Sequence, residues 1–457
     1  MPLLDSSDPR PVHFVGIAGA GMSALAELFV RRGMTVTGCD ADPTGAGDLE
    51  TLGVRVTRHD PAHVDGARAL VVTSAMPKNH PELARAREIG VPVIRRAEAL
   101  GEVTAGRELV GVAGTHGKTT TTVMTTAALA AAGRDPTALV GGRVAAWKGN
   151  LRAGADALYV VEADEYDRSF LALTPTIAVV TNVEADHLDI YADLADIRAA
   201  FEQFTRGART IVLCGDDIGA STLQTPSATE VIRYGIDSSD ARLVARALIG
   251  SGGGTRFNVM FDGELLGAVE LAVPGRHNVL NSLAAVAAGL ALGAPFDGLA
   301  AGLRGFRGVE RRFERIGEAR GVTVIDDYAH HPTEISATLA AARETFPGRR
   351  IIAAFQPHLY TRTRDFATEF GAALASADAV FLTGIYPARE QPISGVSASL
   401  IEEALRKAGG TLTWRGDRPE LAAALVAAAK TGDVVITIGA GDITKTGPEL
   451  LDRLGGR

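Results

Sequence analysis

Along most of the chain, short runs of Val, Ile, Leu and Ala alternate with alanine-rich stretches of helical spacing, and a glycine turn usually joins the two. Strands buried on both faces read as such unbroken apolar runs, and the crossover to the next parallel strand needs a helix. The pattern therefore predicts an α/β protein. The first unit runs from Val12-His13-Phe14-Val15 through Gly16-Ile17-Ala18-Gly19-Ala20-Gly21 into a helix from about Met22 to Arg32. Gly33 stops that helix, and a second strand over 35–38 is followed by Asp40. Strands at 71–73 and 93–94 follow, and a polar patch over 102–107 marks a boundary. A second region opens with a strand at 109–113, holds strands at 158–161 and 177–181, and reaches 308–312. Strands at 322–325, 351–355, 379–383 and 434–438 form a third. Three domains are expected, over 1–106, 107–314 and 315–457, each built on a mostly parallel sheet flanked by helices.

A chain of 457 residues accommodates that count, at roughly 100–200 residues per domain. A formal net charge of −8 gives no electrostatic footprint for nucleic acid, so DNA and RNA are not expected partners. Cys39 and Cys214 lie far apart with no C-x-x-C spacing, which argues against a disulfide framework and a structural zinc site and points to a reducing cytoplasm. Met1-Pro2-Leu3-Leu4-Asp5 lacks the basic start and apolar core of a secretion signal. The longest apolar stretch, 283–294, is far short of the ~20 residues of a membrane helix, so no membrane insertion is expected.

The clearest chemical signal is the strand 109–113 running into Gly114-Thr115-His116-Gly117-Lys118-Thr119-Thr120 and then a helix. Glycines let backbone N–H groups turn around phosphate oxygens and the helix N-terminus adds positive potential. Lys118 can reach the β and γ phosphates, and Thr119 can ligate Mg²⁺. Val112 stands where the usual pattern has its first glycine. A nucleoside triphosphate is the expected ligand. The strand 158–161 ends in Glu162-Ala163-Asp164-Glu165, and Glu162 is the first candidate for a metal-binding acid. The next strand leads into Glu184-Ala185-Asp186-His187, where His187 is a candidate for a second metal. Taken singly, Asp164, Glu165 and Asp189 read as solvated acids at strand ends.

Gly19-Ala20-Gly21-Met22-Ser23-Ala24 satisfies G-x-G-x-x-[GA] after a strand, with Asp40 beyond it, and suits any ligand that carries a pyrophosphate. Asn278 and Asn281 open an alanine-rich helix, where they face a purine edge or cap the helix. In the third region, Asp326 to Glu334 and Gln356 to Asp365 follow strands, at the end of a sheet where ligands bind. His330 and His331 suit substrate contact better than metal, and Arg362 and Arg364 could clamp a carboxylate or phosphate.

Taken together, these residues resemble the Mur ligase family over nearly the whole chain. The resemblance rests on 16–22, 114–119, 162–165, 184–187, 275–278, 308–313, 326–334 and 356–365, in that order. It implies a Rossmann-like N-terminal domain for a UDP sugar, a central P-loop ATPase-type domain, and a Rossmann-like C-terminal domain that admits the amino acid and closes over the site. It further implies transfer of the ATP γ-phosphoryl group to a muramyl carboxylate and attack of an amine on the acyl phosphate.

Carried onto this sequence, the family pattern has Gly114, Thr115, His116, Gly117, Lys118, Thr119 and Thr120 binding ATP, with Lys118 on the transferred phosphate. Thr119 and Glu162 hold one Mg²⁺, and Glu162 and His187 hold a second. Asn278 and Asn281 read adenine, Arg312 touches the phosphates and Asp327 reaches the ribose. Gly16, Ala18, Gly19, Ala20, Gly21, Met22 and Asp40 line the UDP-sugar turn. Tyr328, His330, His331, Arg362 and Arg364 contact alanine or the muramyl group, and His330 or His331 accepts the amine proton. Ala18 stands where many relatives have glycine, which a negative φ tolerates. The stretch 187–206 lacks the lysine that sister ligases carbamylate, which favours the branch that adds L-alanine to UDP-N-acetylmuramate. A cytoplasmic monomer or homodimer is implied. A ligase of the peptide-recycling or folate-polyglutamate type and a nicotinamide-binding sensor are the rival readings.

Overall fold

The computed structural model describes residues 3–456 except Leu4, Ser6, Ser74, Ala75, Gly252 and Arg389. Of the stretch read for a secretion signal, Met1, Pro2 and Leu4 lie outside the described residues. Three sheets follow one another along the chain. The first is parallel and orders its strands Arg55–Thr57, Val36–Cys39, Val12–Val15, Ala69–Val72 and Val93–Arg95. Its first helix, Ala20–Arg31, begins two residues before the expected start because Gly19, extended at φ −65° and ψ 137°, serves as the N-cap.

The second sheet has ten strands, and its central members Glu230–Gly235, Thr210–Cys214, Ile177–Val180, Glu108–Ala113, Ala155–Glu162 and Pro136–Val144 run parallel. The third orders Glu314–Ala319, Val322–Asp327, Val434–Ile438, Ile351–Phe355, Ala379–Thr383 and Leu412–Gly416, with only the first pair antiparallel. Successive side chains of Ile351–Phe355 feed two cores. Ile351, Ala353 and Phe355 pack on one face of the sheet, Ile352 and Ala354 on the other, which is why the run is apolar at every position.

The chain forms two compact units. One comprises Met1–Ala247, Phe257–Val269 and Leu280–Phe306; the other comprises Leu248–Arg256, Glu270–Val279 and Arg307–Arg457. Among the described residues, no helix is long and apolar enough to cross a membrane.

Candidate active site

In the first unit, Glu108–Ala113 lies between two parallel neighbours, with Val112 level with Glu162 and Ala113 level with Val180. Register alone therefore brings the loop 114–117, the acids from Glu162 onward and Thr181-Asn182 to one carboxyl edge of the sheet. The loop is tight. Gly114 has φ 141° and Gly117 φ 79°; a Cβ on Gly114 would overlap the Thr181 hydroxyl, and one on Gly117 would lie 2.7 Å from Asn281 Oδ1. The neighbouring strand holds the loop, since Thr115 N donates to Asn182 O (3.1 Å), His116 N to Asn182 Oδ1 (2.7 Å) and the Thr181 hydroxyl to His116 O (2.6 Å).

Gly117 begins the helix Lys118–Ala131 without a side-chain cap, which leaves the first-turn N–H groups for an anion. Six threonines in that helix are buried although β-branching disfavours helices. Thr122, Thr125 and Thr126 turn their hydroxyls back to carbonyls four residues earlier (2.7–2.8 Å), which satisfies these three buried donors.

Lys118 Nζ donates to Gly114 O (2.7 Å) and to both oxygens of Glu165 (2.9 and 2.8 Å). Glu165 is 3% exposed, which corrects its reading as a solvated strand-end acid. Three residues beyond the strand, the chain turns it inward to meet Lys118. Burial opposes charge on both groups, yet Glu165 with Asp164 and Glu162 raises the Lys118 pKa, and Lys118 with His187 holds the Glu165 carboxyl below its ordinary range. Asp164 is half-buried and Asp189 exposed.

Glu162 accepts the Thr119 hydroxyl (2.9 and 3.0 Å) and Gly141 N (2.6 Å). Those oxygen donors suit a hard cation such as Mg²⁺, and the loop is a cradle that side chains at Gly114 and Gly117 would fill. His187, at φ 53°, places Nε2 3.6 Å from Glu165 and 3.7 Å from Asp186; burial disfavours its proton, but these acids raise its pKa overall. Among the described residues its ion-pair partners are therefore Glu165 and Asp186, and Glu162 is not one of them. Asn281, 7% exposed, accepts the Thr121 hydroxyl (3.1 Å) beside Gly117.

In the N-terminal turn of the same unit, Gly16 alone of the candidate residues has positive φ (80°), and Ala18 avoids the left-handed region as its methyl requires. Asp40 accepts Ala18 N (3.0 Å) and Asp42 N (3.1 Å), so its carboxylate braces the turn. Gly19, Ala20, Gly21 and Met22 form the first turn and N-cap of Ala20–Arg31.

In the second unit, Asp327, Ile438 and Phe355 are level at the ends of three parallel strands. Asp327 accepts Phe313 N and Ala329 N, each at 2.8 Å. Burial raises its pKa to about 6, Arg312 opposing. Two guanidinium groups approach the Tyr328 ring, those of Arg311 and Arg312, at 4.9 and 5.0 Å from its centre. Arg312 pairs with Glu334 at 3.6 Å. His330 turns Nδ1 to Tyr328 O (3.1 Å) and Glu334 (3.3 Å). His331 is the N-cap of Pro332–Thr345 and accepts Thr333 N, which gives it a structural task. Arg362 is 6% exposed on the helix Tyr360–Asp365, entered through Leu359 at φ 71°. Arg364 is spent on its neighbour Asp365 at the surface (2.6 Å). Asn278 donates to Pro274 O (2.7 Å) from inside the helix Arg276–Ala291, so it is not the cap of that helix.

Asp327 gives a pH signature. An acid whose folded pKa is raised binds more protons folded than unfolded between about 4 and 6, so stability falls as pH rises through that window. Asp327→Asn should therefore flatten the pH dependence by about 2 kcal/mol between pH 4 and 7, read from denaturant unfolding of both proteins across that range. An unchanged profile would contradict the assignment.

Three consecutive stretches match family models: 11–108 the Mur ligase family catalytic domain, 112–289 the Mur ligase middle domain, and 311–441 the Mur ligase glutamate ligase domain. The chain belongs to the Mur ligase family. This Mur ligase is 47% identical to the UDP-N-acetylmuramate--L-alanine ligase of Acidothermus cellulolyticus, over 99% of this chain and 98% of that one. It is 44% identical to the protein of the same name from Salinibacter ruber, over 98% and 96%. Among solved structures, UDP-N-acetylmuramate-alanine ligase MurC from Thermotoga maritima matches with TM-score 0.83 and 30% identity, covering 98% of this chain and 99% of that one. The murein peptide ligase of Psychrobacter arcticus matches with TM-score 0.73 and 26% identity, covering 98% and 99%. The mostly parallel α/β architecture in three parts is thus that of this ligase family, and the activity is that of an ATP-dependent ligase. Two buried pairings of this Mur ligase escaped the sequence reading, that of Glu165 in the first unit and that of Arg311 in the second. Glu165 closes the motif 162–165 but carries no local signal of burial, and Arg311 is adjacent to an equally plausible arginine.

Proposed function

We propose that this Mur ligase joins L-alanine to the lactyl carboxylate of UDP-N-acetylmuramate, giving UDP-N-acetylmuramoyl-L-alanine, ADP and phosphate in peptidoglycan precursor synthesis. The observation that carries the reading is the uncapped glycine cradle at 114–117 with Lys118 drawn into it, in a chain alike end to end to ligases of that name. A carboxylate is a poor acyl donor. Its oxygen attacks the γ-phosphorus of ATP and ADP departs; the alanine nitrogen then attacks the acyl carbon and phosphate departs. Positioning and charge neutralisation supply the catalysis.

Lys118 exchanges Glu165 for the γ-phosphate, the first-turn N–H groups hold the β-phosphate, and Asn278 and Asn281 read adenine. Arg312 meets the phosphates and Asp327 the ribose. The turn from Gly16 to Met22, braced by Asp40, takes the UDP group, while Tyr328, His330 and Arg362 meet alanine or the muramyl group. With His331 spent as a cap, His330 is the histidine left to take the amine proton. Thr119 and Glu162 would hold one Mg²⁺, and His187, deprotonated, would offer a nitrogen to a second. When bound, Mg²⁺ neutralises phosphate charge. Domains over 1–106, 107–314 and 315–457, a cytoplasmic location and a monomer or homodimer complete the proposal.

The peptide-recycling alternative is separated by product mass. With ATP, Mg²⁺ and UDP-N-acetylmuramate, the enzyme should add L-alanine and leave an L-alanyl-γ-D-glutamyl-diaminopimelate peptide unreacted; addition of the peptide alone would overturn the branch. Glu162→Gln should raise the Mg²⁺ concentration for half-maximal rate by about tenfold or more. A Mg²⁺ titration unaltered by that change would remove Glu162 from the metal site.

A further inference from the structure

Four of the ten histidines and one of the two cysteines, none of them given a role above, gather around a single carboxylate in the N-terminal sheet region. Glu82, on the helix Pro81–Ile89, is 0% exposed. Cys39 Sγ lies 3.1 and 3.2 Å from its oxygens, His63 Nδ1 3.2 Å, His59 Nδ1 3.7 Å and His80 Nδ1 3.8 Å. His59 Nδ1 also lies 3.2 Å from Cys39 Sγ. Asp60 N donates to Glu82 at 2.9 Å, and among the described residues no lysine or arginine pairs with it. Burial works against its charge, and the Asp60 N–H, the Cys39 thiol and the surrounding imidazoles, rather than a permanent cation, offset that cost.

His13 supplies an independent observation. It is 1% exposed, and its Nε2 is buried without a hydrogen-bond partner. Its other nitrogen is fixed against the Thr37 hydroxyl (2.9 Å), and its ring lies 5.4 Å from that of His63. His63 is built alike, with Nε2 at the Thr57 hydroxyl (3.2 Å) and Nδ1 toward Glu82. Metal-binding histidines are held with one imidazole nitrogen anchored by an outer hydrogen-bond partner and the other turned inward, and here a threonine hydroxyl is that outer partner. One ligand atom from each of His13, Cys39, His63 and Glu82 lies within 4.8 Å of all the others. Bonds of about 2.0–2.3 Å in a tetrahedron set ligand separations of roughly 3.3–3.8 Å, so closing the set takes about an ångström at the widest pair.

We propose that His13, Cys39, His63 and Glu82 bind a divalent cation of the zinc class, with His59 and His80 beside the shared carboxylate. Mixed N, S and O donors exclude Mg²⁺ as the preferred occupant and favour zinc or cobalt. Burial keeps His13 neutral, its pKa lowered to about 4, and burial with Glu82 pushes the Cys39 thiol up, so the bare thiol is protonated. Binding breaks the S–H bond, forms the metal–sulfur bond and releases that one proton to solvent. Spacing along the chain hides the site, because its ligands come from two strands, a 3-10 helix and an α-helix. Cys39 O accepts Gly16 N (2.8 Å) and Ile17 N (3.1 Å), so the ion would brace the glycine turn from beneath.

The test is Co²⁺ titration of the full-length protein, followed in the visible and near ultraviolet. The expected result is one equivalent bound with the intense visible bands of a tetrahedral site and a thiolate-to-cobalt charge-transfer band. Zn²⁺ should displace it and Mg²⁺ should not. Cys214→Ser should retain the charge-transfer band and Cys39→Ser should lose it. His63→Ala, at a partly exposed position that tolerates truncation, should weaken binding by more than the roughly 10–100-fold that loss of an outer-shell partner costs. Should Cys39→Ser fail to fold, His63→Ala decides together with Zn²⁺-induced thermal stabilisation, expected for the parent and absent from the variant. No cobalt spectrum, or one unaffected by His63→Ala, overturns the proposal.

Discussion

Lys118→Ala should lose both turnover and stability, and the two losses should be separable. The ammonium neutralises charge on the phosphoryl group in flight, so phosphate release should fall by about 10³-fold. It is also the cation that compensates Glu165, 3% exposed. Removing one partner of such a pair strands the other, at a cost of about 3 kcal/mol. Lys118→Ala with Glu165→Gln removes the stranded charge, so unfolding should return most of the way to that of the parent while turnover stays lost. Phosphate release and thermal unfolding of the three proteins decide it. Turnover within tenfold of the parent in Lys118→Ala would take Lys118 out of the chemistry, and equal unfolding of the single and double variants would deny the pairing.

Arg311→Met should be the most damaging change in the second unit. Arg311 Nε donates to Asp326 at 3.0 Å and Nη2 to Gly439 O at 2.6 Å, and Asp326 is 0% exposed. Methionine keeps the stem beside Tyr328 but, among the described residues, leaves the carboxylate with only the hydroxyls of Thr437 (2.5 Å) and Thr444 (2.9 Å). A loss of about 3 kcal/mol is expected. Arg312→Met offers the contrast. Its ion pair with Glu334 is longer and 31% exposed on the arginine side, so stability should change by less than about 1 kcal/mol while turnover falls. Denaturant unfolding of both variants tests this; equal destabilisation would show that the two neighbours share one role.

The sheets were legible because strands buried on both faces have no polar alternation to obscure them, and Ile351–Phe355 and Val434–Ile438 were readable to the residue. The phosphate loop was legible because its glycines answer to backbone geometry rather than to distant partners. The hairpin joining Gly254–Phe261 to Glu264–Leu271 was missed although Asp262-Gly263, both at positive φ, is a strong turn signal. Glu165 and the cluster at Glu82 could not be read that way. Whether an acid is solvated or buried depends on which chain segment covers it, and local spacing carries nothing of that. The roles of Arg311 and Arg312 diverge for the same reason, since one residue of rotation sends one side chain to Asp326 and the other to Glu334.

The most direct test of the ligase mechanism follows one oxygen atom. UDP-N-acetylmuramate labelled with ¹⁸O in the lactyl carboxylate is turned over with ATP, Mg²⁺ and L-alanine, and the released phosphate is analysed by mass. Attack of the carboxylate on the γ-phosphorus followed by displacement at the acyl carbon leaves one carboxylate oxygen on phosphate, so one ¹⁸O per phosphate is expected, and only when L-alanine is present. Unlabelled phosphate formed alongside product would contradict the acyl-phosphate route.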